Sequence, residues 1–348
     1  MQQSKESQMQ VVDEMFTELK NAPEAMRPSK LWDELNVTNI SQLEDKGIEN
    51  LRNTVACNYF TFMGDGKQFR FLKSHLSKVT YLINKLRAHL AIRSPSLKSE
   101  WKKMALIKEY MFTHTYYTNM LFDYVKSVDT AGLLNSVEES EFGKPPPVYR
   151  GKKLITADLA NSILEYYSMV PALKSGPLKT VMELGAGYGR NASVFLQKHS
   201  DIQYVIVDIP PALYVSQTYL QNRFSDKKIF SFRPFRSFEE VKEEWQRSSI
   251  CFLLPHQVQL LPQKSVDLFL NISSLQEMRM DQIRYYFAEI DRLVRGHFYT
   301  KQWKVSYIPQ EDVTIRQEDY PVLPAWRPIY SRPCAVQTPF FEALYQIT

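Results

Sequence analysis

The chain has 348 residues, of which 44% are hydrophobic, 13% aromatic and 23% charged. This composition is typical of a folded globular protein large enough for two ordinary domains, and it excludes an intrinsically disordered chain. The formal net charge of +5 is the balance of 43 Lys and Arg against 38 Asp and Glu residues mixed along the sequence. No familiar DNA- or RNA-binding signature accompanies this mild excess of positive charge, so we expect no nucleic-acid partner.

Cysteine content and hydropathy indicate the compartment. The three cysteines, Cys57, Cys251 and Cys334, are far apart, which argues against a disulfide framework and against a zinc site. The polar N-terminus lacks the apolar segment of a signal peptide, and no uncharged run approaches the ~20 residues that a membrane helix requires. We therefore expect a cytoplasmic protein with no membrane partner.

Helical periodicity dominates residues 1–130. Apolar positions recur every three or four residues from Leu72 to Leu90 and again from Met104 to Val125. This spacing predicts two helices that each bury one stripe against a neighbour. We expect the all-helical region to help bind an acceptor, or to be the surface through which a second copy of the chain associates. Residues 131–150 contain three consecutive prolines and are predicted to be a linker.

Residues 151–348 form the second predicted domain, in which strands and helices alternate. Buried strands are predicted at 181–184, 204–209, 250–254, 266–270 and 297–303, and helices at 190–199, 211–223 and 281–294. This order predicts an α/β fold of the Rossmann-like kind, a mostly parallel sheet with helices on both faces. The last forty residues have little periodicity, and we expect them to end in an edge strand.

A glycine-rich turn follows the first of these strands and precedes a predicted helix. Its sequence is Glu183-Leu184-Gly185-Ala186-Gly187-Tyr188-Gly189-Arg190. Such a turn lets the backbone approach a ligand closely, but the spacing G-x-G-x-G differs from the G-x-G-x-x-G of dinucleotide-binding folds. A carboxylate at Glu183 would repel a pyrophosphate, whereas it suits a ligand with cationic sulfonium and ammonium groups. We therefore predict that Glu183, Gly185, Ala186, Gly187 and Gly189 bind S-adenosylmethionine.

A second acid supports this interpretation. Asp208 ends the next strand, 208 − 189 = 19 residues after the last glycine of the turn, where a carboxylate can accept hydrogen bonds from both ribose hydroxyls. Ile209, Asn271 and Gln257 are further candidate cofactor contacts, and the amide of Gln257 can pair with the adenine edge. A purely structural glycine turn, with Asp208 as a helix cap, and a nicotinamide site remain as alternatives.

The segment 271–278 follows a central strand, at the sheet edge where open α/β folds bind ligands. Enzymes that methylate amino groups of nucleic acids carry an Asn-Pro-Pro-aromatic loop at this position, and this segment lacks that sequence. Its absence favours a hydroxyl as the acceptor. Methylation of a hydroxyl usually needs a base, and the titratable residues near the strand ends are Glu277 and His256. Either can be that base, although a helix-start acid and a loop histidine are equally ordinary interpretations. No compact carboxylate cluster is present, so we expect no metal.

Several segments resemble one known family. The segments MELGAGYGRNA, VIVDIPPALYVSQTYL, FLLPHQ, VDLFLN and SSLQEM occur in the same order as in a sugar O-methyltransferase family. The similarity covers roughly residues 150–345. The resemblance implies a class I S-adenosylmethionine-dependent methyltransferase domain preceded by a helical region. It implies cofactor roles for Glu183, Gly185, Gly187 and Asp208, and positions facing the site for His256, Gln257, Gln276 and Glu277.

The expected activity is therefore transfer of a methyl group from S-adenosylmethionine to a hydroxyl of a sugar or a sugar-containing small molecule. Two alternatives stay open at this point. The acceptor can be another small hydroxylated metabolite, or the chain can bind the cofactor without turnover.

Overall fold

The computed structural model describes residues 2–59, 65–91 and 105–347. Within these residues seven α-helices precede the first strand. They are α1 (Gln2–Lys20), α2 (Lys30–Lys46), α3 (Val55–Tyr59), α4 (Gly66–His75), α5 (Lys78–Ala91), α6 (Ala105–Val128) and α7 (Leu133–Ser136). The described part of residues 1–130 is thus helical, as predicted.

The two apolar helix stripes predicted in this region differ in how far they are buried. On α6 the described part of the stripe is buried at Met111, Leu121 and Val125, which are at most 4% exposed, whereas Met104 lies outside the described residues. The stripe over Leu72–Leu90 is wrong as one buried face: the helix is interrupted between α4 and α5, and the apolar residues of α5 face outward. The opposite face of α5 packs on α6. There the fully buried Asn84 donates a hydrogen bond of 2.8 Å to Asp123 of α6.

The second half of the chain is built around one sheet. This half of the chain begins with a separate two-stranded hairpin and two helices: β1 (Tyr149–Arg150), β2 (Lys153–Leu154), α8 (Ala157–Ser168) and α9 (Val170–Leu173). Alternating strands and helices follow: β3 (Thr180–Leu184), α10 (Arg190–Lys198), β4 (Gln203–Val207), α11 (Ala212–Arg223), β5 (Ile229–Phe230), α12 (Lys242–Arg247), β6 (Ile250–Leu253), β7 (Val266–Ile272), α13 (Met280–Leu293) and β8 (Val294–Trp303). The remaining strands are β9 (Val305–Ile308), β10 (Val313–Arg316), β11 (Arg327–Pro333) and β12 (Phe340–Gln346).

The main sheet has eight strands in the order β11-β12-β8-β7-β3-β4-β6-β5. The six strands from β8 to β5 are parallel, and β12 runs antiparallel to both β8 and β11. The predicted Rossmann-like α/β fold class is confirmed. The C-terminus differs in two details: the last strand lies inside the sheet, with β11 at its edge, and β9 pairs with β10 in a separate hairpin.

Alternate residues of each strand point to opposite faces of the sheet, as strand geometry requires. On β4, Tyr204 and Ile206 belong to one buried apolar cluster, whereas Val205 and Val207 belong to the other. The first cluster continues into the N-terminal helices through residues such as Met15. The helical region therefore shares its core with one face of the sheet. No helix of the described residues is both long and apolar enough to cross a membrane.

Candidate active site

The glycine turn requires backbone conformations that side chains disfavour. Gly185 has φ +73° and Gly189, at the start of α10, has φ +88°. A Cβ atom on Gly185 would lie 2.3 Å from the Ser274 hydroxyl oxygen, so only glycine fits between β3 and the segment after β7. The turn therefore brings bare backbone to the carboxyl edge of the sheet.

A cleft opens at this edge, where the central parallel strands β3, β4 and β7 end. Its wall combines the glycine turn, the ends of β4 and β7, α13 and the segment that leads into α2. The lining residues are Met26, Arg27, Pro28, Ser29, Trp32, Glu183, Leu184, Gly185, Ala186, Gly187, Tyr188, Arg190, Asn191, Asp208, Ile209, Ala212, Pro255, Ile272, Ser273, Ser274, Glu277, Met278, Gln282 and Tyr286. Ligand sites of open α/β sheets occupy this position.

Glu183 is almost fully buried at the end of β3. Its carboxylate accepts hydrogen bonds from the Tyr204 hydroxyl at 2.7 Å and from the Asn191 amide at 3.2 Å. Burial raises the pKa of Glu183 to about 7, because these two neutral donors only partly offset the loss of water. A cationic group in the cleft would favour the charged carboxylate.

Asp208, at the end of β4, is also buried. One carboxylate oxygen accepts the Gly187 N–H at 2.9 Å and the other accepts the Ile209 N–H at 2.8 Å. Burial raises the pKa of Asp208 to about 7 despite these bonds. The Ala186 backbone N–H contributes a third hydrogen bond, and since a carboxylate can accept about four, acceptor capacity is left for a donor on a ligand.

Glu277 lines the cleft from the short turn that precedes α13, and its side chain is half-buried. Burial raises the pKa of Glu277 to about 8, and the nearby negative charge of Asp208 acts in the same direction. Hydrogen bonds from the Trp32 indole and the Gln276 side chain oppose this shift. The neighbouring Ser273 has φ +59°, a strained conformation for a residue with a side chain, and it also lines the cleft.

Residues of the N-terminal region form one wall of the cleft, and no pattern in the sequence predicts this contact. The Ser29 hydroxyl donates to the Glu277 carbonyl at 3.0 Å, and the Gln282 amide of α13 donates to the Arg27 carbonyl at 2.6 Å. A third bond joins the Arg279 guanidinium to the Glu24 carbonyl at 3.0 Å. Residues about 250 positions apart thus form one surface, which only the tertiary fold creates.

The other predicted site residues lie near the cleft but are engaged elsewhere. The Gln257 amide donates to the Arg233 carbonyl at 2.8 Å, and its oxygen accepts the Leu254 N–H at 2.9 Å. His256 faces α1, with its Nε2 atom 3.8 Å from a carboxylate oxygen of Glu18.

Asn271 and Gln276 brace the end of β7. Asn271 is fully buried and donates to the Leu184 carbonyl at 3.0 Å and to the Ser274 hydroxyl at 2.9 Å. The oxygen of Gln276 accepts the Trp303 N–H at 2.6 Å. Both side chains fix the strand end that carries Glu277.

The cation nearest the glycine turn is held inside the protein. Arg190, buried at the start of α10, donates to both carboxylate oxygens of Glu165, at 2.5 and 3.1 Å, and Lys301 reaches the same carboxylate at 2.7 Å. These two cations hold the pKa of Glu165 at about 2. Besides Arg190 and the exposed Arg27, the ionisable side chains that line the cleft include three acids that titrate near neutral pH, Glu183, Asp208 and Glu277.

No group of three His, Cys, Asp or Glu side chains suited to a metal ion occurs among the described residues. The expectation of a metal-free site stays a prediction.

Comparison with known proteins yields structural matches alone. No family profile and no curated protein matches the chain. A Burkholderia thailandensis 1,6-didemethyltoxoflavin-N1-methyltransferase, solved with S-adenosylhomocysteine, is 14% identical over 55% of this chain and 79% of its own, with a TM-score of 0.37. An S-adenosylmethionine-dependent methyltransferase from Aquifex aeolicus is 16% identical over 54% of this chain and 93% of its own, with a TM-score of 0.32. A protein from Pyrococcus horikoshii is 14% identical over 54% and 91%, with a TM-score of 0.38. At these TM-scores no activity passes from those proteins to this chain, and its function must be inferred from the cleft itself.

Proposed function

We propose that this chain is an S-adenosylmethionine-dependent O-methyltransferase that acts on a hydroxyl of a sugar or a sugar-containing small molecule. The observation that carries the proposal is the meeting of two buried acids, Glu183 and Asp208, and the half-buried Glu277 with a glycine turn in one cleft at the carboxyl edge of the sheet. Carboxyls that ionise near neutral pH disfavour the pyrophosphate of a dinucleotide and favour a ligand with a cationic group.

The donor set fits this cofactor. Asp208 keeps acceptor capacity for a ribose hydroxyl, and Glu183 supplies a buried carboxylate for an ammonium group. The backbone of Gly185 and Gly187 allows close approach, since neither carries a side chain. When bound, the cofactor supplies an electrophilic methyl group on a cationic sulfur.

The residues of the chain would then prepare the acceptor. Glu277 accepts the proton of the acceptor hydroxyl at a carboxylate oxygen, which makes the hydroxyl oxygen a nucleophile. The Trp32 indole, which donates to this carboxylate, orients it toward the cleft. We assign the base to Glu277 rather than His256 because Glu277 lines the cleft while His256 faces Glu18.

The segment 26–32 would supply much of the acceptor side. Met26 and Pro28 offer apolar surface, and Trp32 offers an aromatic face of the kind that stacks on sugar rings. By closing over the strand ends, this segment excludes water and holds the reacting groups together, which are the main contributions available to a displacement reaction.

The first experiment is calorimetric titration of the full chain with S-adenosylmethionine, S-adenosylhomocysteine and NAD. Binding of the two adenosyl compounds that is lost in Asp208→Ala, but kept in the exposed control Asp201→Ala, supports the cofactor assignment. Preference for NAD, or no adenosyl binding, refutes the proposal.

Proton linkage makes this titration sharper. Asp208 and Glu183 both have pKa values of about 7 in the ligand-free protein, and the ribose hydroxyls and the ammonium group of an adenosyl ligand would lower them. Binding near neutral pH should release protons, and the affinity for S-adenosylhomocysteine should rise by about tenfold per carboxyl between pH 6 and pH 8. An affinity that does not change with pH would contradict the electrostatic part of the assignment.

A screen of sugar nucleotides, free sugars and phenols for methyl transfer then tests the acceptor. Turnover on a sugar hydroxyl that Glu277→Gln abolishes, with cofactor affinity unchanged, supports the full proposal. Turnover on phenols alone moves the acceptor to another hydroxylated metabolite, and cofactor binding without turnover indicates a non-catalytic protein.

A further inference from the structure

Helix α5 presents an apolar face to the solvent. Val79, Leu82, Ile83, Leu86 and Leu90 are between 42% and 66% exposed. Their spacing places them on one side of the helix, opposite the buried Asn84 and Ala88 that face α6. Scattered exposed apolar residues are ordinary, but five on one helical face form a contiguous patch.

Positive charge lies beside this patch. Lys78 and Lys85 are exposed along one flank of the apolar face, and α5 contains no acidic residue. Residues 65–104 contain ten Lys and Arg against two acids, Asp65 and Glu100, a formal charge of +8. Because the whole chain carries +5, all other residues together carry −3. The basic character of the protein is thus concentrated in the part of the sequence that includes α5.

From this pattern we propose that α5 docks on the surface of an anionic lipid bilayer. Aliphatic side chains of an amphipathic helix insert at the boundary of headgroups and acyl chains, and flanking lysines contact the lipid phosphates. The proposal adds a peripheral membrane surface to a chain whose sequence suggested no membrane partner, and it does not depend on the proposed enzymatic activity.

Charge disfavours the other occupants of this face. Pairing two α5 helices from two copies, in either direction, would place Lys78 and Lys85 against basic residues with no acid on either helix. Residues 92–104 are themselves basic, with four Lys and Arg and one acid. A nucleic acid would meet aliphatic side chains where single-strand binding surfaces present aromatic ones.

The test is flotation of the full chain with vesicles of phosphatidylcholine, either alone or with about one third phosphatidylglycerol, at low and high salt. We expect binding to the anionic vesicles only, weakened by salt. Lys78→Gln with Lys85→Gln should lower the partition coefficient by about 25-fold, since each charge contributes about fivefold. The matched control removes two exposed lysines elsewhere, Lys174→Gln with Lys198→Gln, and should bind like the wild type.

Leu82→Gln with Leu86→Gln tests the apolar component. Both side chains are exposed, so the melting temperature should hold while vesicle binding is lost. The proposal is overturned if the wild type does not bind anionic vesicles at low salt, or if this leucine variant binds them as well as the wild type does. It is also overturned if light scattering shows a dimer that the leucine variant dissociates and that does not bind vesicles, because the face then belongs to a second copy.

Discussion

Glu277 should make the stability of this protein depend on pH in a direction opposite to that of most surface carboxylates. Its pKa is about 8 in the folded chain, against an ordinary value of 4.5 that applies after unfolding. As pH rises above 4.5 the unfolded chain releases this proton first, so unfolding becomes easier until the folded carboxyl also ionises near pH 8. Glu277→Gln removes the ionisation and with it this loss of stability.

The magnitude follows from the two pKa values. Between pH 6 and pH 9 the unfolded carboxyl stays charged while the folded one loses its proton, a cost of about 2–3 kcal/mol at ~1.4 kcal/mol per unit of pKa. The free energy of unfolding of the wild type should therefore fall by that amount relative to the variant. Other titrating groups are common to both proteins and cancel, except for the coupling between Glu277 and Asp208.

The assay is urea unfolding followed by tryptophan fluorescence at intervals from pH 6 to pH 9. The control is Glu318→Gln, which removes an exposed carboxylate and should leave the pH dependence of the wild type intact. If the wild type and Glu277→Gln give parallel curves, the carboxyl of Glu277 is not desolvated, and the reason for assigning it as a base poised near neutral pH is lost.

Three further predictions test the surroundings of the cleft. Gly185→Ala places a side chain at φ +73° against the segment after β7, so it should lower the free energy of unfolding by about 1–3 kcal/mol and weaken S-adenosylhomocysteine binding. The control Gly151→Ala, at φ +63° with open space around it, should lower the free energy of unfolding less and leave binding unchanged in the same titrations. Glu165→Gln leaves two buried cations without their carboxylate and should cost about 3–5 kcal/mol in denaturant unfolding at pH 7; because the pKa of Glu165 is about 2, this difference should shrink only as pH falls from 4.5 toward 2. Trp32→Phe removes a donor to Glu277, so the pH at which kcat/KM reaches its plateau should rise, and an unshifted pH–rate profile would show that the indole does not stabilise the charged carboxylate.

The sheet could be predicted from the sequence because its signals are local. Each buried parallel strand is a short apolar run, and Glu183 and Asp208 follow from the order in which strands end at one edge of the sheet. The predicted strand at 266–270 corresponds to β7 (Val266–Ile272), and the predicted helix at 281–294 corresponds to α13 (Met280–Leu293).

Features that depend on long-range contacts could not be predicted in this way. Nothing in the spacing around Trp32 indicates that it reaches Glu277, because the contact exists only after the helical region packs on the sheet. The stripe on α5 has the periodicity of a buried helix face, and the sequence does not show that Asn84 turns the other side inward. Gln257 has the polarity of an adenine ligand, but its amide bonds to nearby backbone carbonyl and N–H groups.

The hydrogen bonds that hold the N-terminal wall of the cleft in place affect how acceptor selectivity can change during evolution. Three of the hydrogen bonds that hold this wall end on main-chain carbonyls, those of Glu24, Arg27 and Glu277, and every residue has such a carbonyl. Substitutions at Met26 or Pro28, which also line the cleft, can therefore alter the surface offered to an acceptor without removing any of these bonds. A lineage of such chains can diverge in what it modifies while the wall stays attached and the carboxylates beneath it stay in place.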